Sequence, residues 1–167
     1  LTQADLVRNF ILMKEHTDKQ EELYETYWSA IEKNTKFMVS DFIRDFLTMK
    51  ERVIPNKDKV YMSFKKYVHK NIQEGKIEDL LKDLLKFSKY YNKIAYSNDT
   101  NKSINDLLKR LNNLEVTVSY PFLLEVFDKY ETKELSDKEV IEILGVVESF
   151  TFRRMIADVP TNALNKV

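Results

Sequence analysis

The stretch IEDLLKDLLKFSKYYNKIAY, Ile77 to Tyr96, repeats apolar side chains at Ile77, Leu80, Leu81, Leu84, Tyr91 and Ala95. Intervals of three, four and seven residues bring those side chains to one face of an α-helix, which turns once in about 3.6 residues. Lys82, Lys86, Lys89 and Lys93 fall within about 60° of one another on the opposite face. Glycine and proline are absent from the stretch. It therefore predicts one long amphipathic helix.

The same period continues outward in both directions. Toward the N-terminus, Thr2 followed by Asp5 forms a capping-box pattern ahead of a helix with Leu6, Val7, Phe10, Ile11 and Met13 on one face and Asp5, Arg8, Asn9 and Leu12 on the other. Asp18 is placed to cap a helix through Trp28 and Ile31, and Ser40 one through Phe42, Ile43, Phe46 and Leu47 that Pro55 ends. A further helix runs through Val60, Phe64 and Val68 toward Gly75, a residue suited to ending it. Toward the C-terminus, SNDTNKS (97–103) reads as a loop, and a helix follows with Ile104, Leu107, Leu108 and Leu111 inward. VTVSYP (116–121) is the one segment arguable as a strand, but it has no partner and reads as an extended linker. Pro121 suits the first turn of the next helix, and Ser136 caps the last, which ends by Pro160.

Two glycines and three prolines in 167 residues favour helices over a turn-rich sheet. The expected fold is all-α: an irregular multi-helix bundle of about eight or nine helices without a sheet, forming a single domain over residues 1–167. That length buries a core without disulfide staples. Cysteine is absent, which removes disulfides, thiol nucleophiles and thiolate metal sites and fits the cytoplasm as the expected compartment. No apolar run is long enough to cross a bilayer, so no membrane partner is expected.

Charge is informative only locally. The chain carries 27 basic and 27 acidic side chains. Between Lys50 and Arg110, however, 15 basic face 8 acidic, and the flanking segments are net acidic. Lys82, Lys86, Lys89 and Lys93 are thus candidate phosphate contacts, set against the simpler reading of a solvated outer face.

Catalytic constellations do not emerge. His16 and His69 lack acidic or histidine partners one helical turn away, so no metal site is expected. Two glycines cannot build a phosphate loop. Glu74-Gly75-Lys76 and Glu131-Thr132-Lys133 match half of a nuclease motif, but they fall at helix ends rather than on a strand with a second carboxylate. Nine tyrosines at helical spacing read first as core and core edge.

The final helix poses one electrostatic question. Val140, Ile143, Val147 and Phe150 share a face, and Arg154 projects toward them while Arg153 lies about 100° away. An inward guanidinium needs a carboxylate or several carbonyls. Asp158 is the local candidate and Asp5, beside Arg8 and Asn9, the distant one. A polar network that fixes helix docking is the structural reading, and contact with a phosphate or a neighbouring domain the functional one.

Five stretches, LTQADLVRNFILMK, IRDFLTMKERVIP, VYMSFKKY, PFLLEVFDKY and ESFTFRRMIADVPTNALNK, together resemble the helical region of GmrSD-type, modification-dependent restriction endonucleases. In that family a ParB-like N-terminal domain with an Asp-Gly-Gln-Gln-Arg signature precedes the helical region, and many members end in an HNH-type nuclease domain. Neither signature occurs here, so the resemblance implies a helical fragment of a larger protein, without catalytic residues or cofactors of its own. Nucleotide triphosphate and divalent metal would belong to the parent. The family's Ala-Asp-Leu-Ile-Arg-Asn-like signature falls on Ala4 to Asn9, and its twin-arginine signature on Arg153, Arg154, Pro160, Thr161 and Asn162. Their implied work is structural or interdomain, in a network of Asp5, Arg8, Asn9, Arg153, Arg154, Asp158 and Asn162. The expected partners are other domains of the parent and double-stranded modified DNA. The alternative is a structural or oligomerisation scaffold that never touches DNA.

Overall fold

A computed structural model describes residues 1–13, 15–73, 76–115 and 117–157. The chain is all-α, with no strand among the described residues. In order, the helices are α1 (Gln3–Leu12), α2 (Thr17–Leu23), α3 (Ser29–Asn34), α4 (Val39–Glu51), α5 (Val60–Asn71), α6 (Ile77–Tyr96), α7 (Lys102–Asn113), α8 (Tyr120–Glu131) and α9 (Asp137–Ile156). A π-helical turn, Tyr24–Trp28, joins α2 to α3, and 3-10 turns at Lys57–Lys59 and Thr117–Ser119 lead into α5 and α8. The segment expected to be an extended linker is therefore, in its described part, a 3-10 turn followed by the first two residues of α8. Gly75, Asp158 and Asn162 lie outside the described residues.

Two compact units divide the chain, Leu1–Lys89 and the residues from Tyr90 onward. In the first, α1, α4 and α5 pack on one another. Val7, Ile11, Trp28, Ile31, Phe42, Phe46, Phe64, Leu81 and Leu84 are fully buried. Edge-to-face ring pairs, Phe10 with Phe64 and Phe46 with Phe87, set part of that packing. In the second unit, α7 and α8 pack on α9 around Ile104, Leu108, Leu124, Phe127, Val140 and Leu144. Asn112 fastens the end of α6 there, donating to the Ile94 carbonyl at 2.8 Å and accepting from the Tyr120 hydroxyl at 2.8 Å. Carbonyls in a helix's last turn lack partners inside the helix, so this amide satisfies one.

Capping explains where several helices begin. Thr2 and Asp5 form the expected capping box on α1, and Ser136 with Glu139 forms one on α9. Asn101 caps α7 by accepting from the Ser103 and Ile104 amides. Two expected caps are corrected. His16 takes the cap position of α2 in place of Asp18, and α4 begins at Val39, so Ser40 lies inside it and accepts from the Ala4 amide at 3.1 Å. Tertiary contact with α1 outweighs the local cap. At α9, Ser136→Ala removes the acceptor of the Glu139 amide and the hydroxyl donor to the Glu139 carboxylate, which keeps its bond from the residue 136 amide, and it is expected to cost about 1 kcal/mol in chemical denaturation.

Candidate functional site

The lysines of α6 sit on the outer face, as their spacing requires, and three of the four are already neutralised. Lys82 pairs with Glu78 at 3.3 Å and Lys86 with Asp83 at 3.5 Å. Glu78 also accepts from the Tyr27 hydroxyl at 2.8 Å, and its bond to Lys82 raises that ammonium's pKa. Lys93 lies between Asp99, at 3.1 Å, and Glu131. Lys89 is exposed and has no ion-pair partner among the described residues. A face on which acids answer most of the lysines presents little net field to a phosphate backbone.

Asp5 and Arg8 form a local cluster in the first unit. Asp5 accepts from the Thr2 amide and hydroxyl and pairs with Arg8 at 3.4 Å, and the Thr2 bonds hold its carboxyl below the usual range. Arg8 continues to Glu32 at 3.8 Å, where Trp28 Nε1 and the Tyr24 hydroxyl donate at 2.9 and 3.2 Å. Asn9 contributes its backbone carbonyl to the Met13 amide that closes α1. Glu32 is the hub that the sequence reading missed. Its spacing of four and eight residues from Trp28 and Tyr24 was a legible signal, since those positions share a helix face.

In the second unit, Arg153 is exposed and Arg154 is partly buried. Nε and Nη2 of Arg154 are shielded from solvent and meet no acceptor among the described residues, while the guanidinium lies 5.5 Å from the centre of the Phe150 ring. Phe150 departs from expectation, because it is 48% exposed. Val140, Leu144 and Thr151 centre the buried face of α9, and Phe150 stands about 100° from Thr151 around the helix.

The last turns of α9 are the least explained surface of the chain. Val146 is 68% exposed, Phe152 49%, Met155 54% and Ile156 69%, in addition to Phe150. Apolar side chains there surround the helix instead of forming a stripe. Beside them a groove of about 470 Å³ opens between the end of α7 and α9, with Leu114, Gly145, Ser149 and Phe152 on its walls. Arg110 and Glu148 close its rim with two bonds of 2.6 and 3.2 Å. Gly145 sits inside a 20-residue helix, and among the described residues nothing lies within 4 Å of where its Cβ would be.

Among the described residues no group of three or more histidine, aspartate or glutamate side chains is placed to hold a metal ion, and no helix is long and apolar enough to cross a membrane. Comparison with protein-family models, with curated proteins and with solved structures gives no match. The class that fold and surface define is an all-α helical protein with an apolar, water-exposed helix end.

Proposed function

We propose that this chain is a helical binding and coupling module, without catalysis of its own, that docks another protein surface on the last turns of α9. The exposure of Val146, Phe150, Phe152, Met155 and Ile156 carries this reading. Large apolar side chains left in water close together at a helix end mark interaction sites. The resemblance to modification-dependent restriction proteins supports a specific setting. There the docked surface belongs to another domain of the same parent, and nucleotide and metal chemistry belong to those domains. Amides of 146–156 are expected to exchange more slowly with deuterium in the longer protein than in this chain alone. Equal exchange in the two would remove the coupling role.

DNA positioning is the second reading, supported by the basic excess between Lys50 and Arg110 and by the exposure of Lys89, which has no ion-pair partner among the described residues. Fluorescence anisotropy with plain and hydroxymethyl- or glucosyl-modified duplexes, over about 50 to 200 mM salt, separates the two. The coupling reading expects no salt-steep binding and no effect of alanine at Lys82, Lys86, Lys89 and Lys93. Steep salt dependence that the alanine variant abolishes would transfer the function to α6.

A further inference from the structure

We propose that the outer face of α5 docks an acidic amphipathic helix of a partner protein. The face belongs to the first unit and does not rest on the reading of α9, and a module that couples needs a second contact. Its cations are unanswered. Residues 50–70 carry 7 basic and 2 acidic side chains, against 8 and 6 over residues 71–110, so the basic excess of the middle segment sits mainly here and not on α6. Lys57, Lys59, Lys65 and Lys66 form no ion pair among the described residues, whereas Lys82, Lys86 and Lys93 on α6 are paired. Lys70 pairs with Glu51 at 3.0 Å, and Asp58 is the only acid between Arg52 and Gln73. Charge of one sign left on a surface selects a partner of the other.

Apolar side chains share this face with the lysines. Val60, Phe64, Tyr67 and Val68 bury the inner side of α5. Met62, Lys65, Lys66 and His69 fall within about 100° of one another on the outer side. Met62 is 51% exposed and stands between the two lysines around the helix. Phe10 of α1, partly exposed, meets Tyr61 and His69 edge to face with ring centres 6.1 and 5.9 Å apart, which extends the apolar ground along one flank. Steps of three and four residues from Met62 to Lys65, Lys66 and His69 make the ridges against which a second helix packs. A duplex backbone offers phosphates alone and would leave Met62 and Phe10 in water. A helix with carboxylates on either side of an apolar row answers both, its acids meeting Lys59, Lys65 and Lys66 and its apolar side chains meeting Met62.

Fluorescence anisotropy tests this with the whole chain and a labelled helical peptide of about 20 residues that carries glutamate and leucine at heptad spacing. The peptide is expected to bind, and its affinity to fall severalfold between about 50 and 200 mM salt. Lys59→Glu combined with Lys66→Glu should raise the dissociation constant by at least about tenfold, and Met62→Gln by about threefold. All three side chains are exposed, so the fold is kept. Alanine at Lys82 and Lys86 should leave binding unchanged. No binding at low salt, equal binding of a peptide with glutamine in place of glutamate, or a dissociation constant indifferent to Lys59→Glu with Lys66→Glu overturns the proposal. Tighter binding through the same lysines to a DNA duplex, or to vesicles of about one-third phosphatidylserine, overturns it by assigning α5 to a phosphate surface. Exchange over 146–156 is measured separately, so the α9 reading survives failure of this one.

Discussion

Lys93→Met is expected to lower the melting temperature by roughly 5–10 °C, a cost of about 2–3 kcal/mol for a chain of this size. The ammonium of Lys93 answers Asp99 and Glu131, two acids of unequal exposure. Asp99's side chain is 1% exposed, and Glu131's is 36%. Removing the lysine strands the Asp99 carboxylate without its counter-charge, the situation in which breaking a buried pair is most destabilising. Lys93 is itself 26% exposed, which keeps the figure below that of a fully buried pair. Asp99 also accepts from the Asn101 amide at 2.8 Å, and Asn101 caps α7, so the loss propagates to the start of that helix. Two comparisons test the cause. Adding Asp99→Asn to Lys93→Met should recover most of the loss, whereas Glu131→Gln alone should cost less than Lys93→Met. Burial lowers the Lys93 pKa, but its bonds to Glu131 and Asp99 outweigh burial and raise it above the ordinary 10.5. The stabilisation is therefore complete below about pH 10.5 and fades as pH rises through the elevated value. An unchanged melting temperature in Lys93→Met would mean that water already solvates the Asp99 carboxylate.

Lys93 also shows where reading the sequence stops. Helical period placed it correctly on the outer face of α6, beside Lys82, Lys86 and Lys89. Period alone is silent about Asp99 and Glu131, six and 38 residues further along, because tertiary packing brings them together. Features set by local spacing were legible: the α6 helix, the capping boxes at Thr2 and Ser136, and proline in the first turn of α8. Features set by packing were not. Ser40 has the side chain of a cap yet serves the α1 backbone, Ile94 takes the inward position expected of Ala95, and Met13 points to solvent from a helix whose packing buries Leu12 instead. Phe150 failed for a related reason. Its spacing fits an apolar face, but near the end of α9 the described residues leave it about half exposed. Gly145 carried a sequence signal, a lone glycine inside a helical pattern, that spacing alone leaves unexplained.

Asp45→Asn is expected to stabilise the protein above about pH 8 and to leave it unchanged below about pH 4. Asp45 lies on α4 between Phe42 and Met49, both buried, and burial pushes its carboxyl from the ordinary 3.8 up to about 8, opposed by Arg44 and reinforced by Asp41. Between those values the folded chain holds a proton that the unfolded chain has released, so stability falls as pH rises across that window. A shift of this size corresponds to at most about 6 kcal/mol, at 1.36 kcal/mol for each pH unit. Asp45 keeps part of its accessible surface, and solvent screening there brings the expected gain for asparagine to roughly 1–3 kcal/mol. Urea titrations at pH 4, 6 and 8 measure it directly, because asparagine is neutral at all three and should flatten the decline contributed by Asp45. A decline identical in the wild type and Asp45→Asn would show that the carboxylate stays ionised in the fold and that Arg44, beside it on α4, outweighs burial.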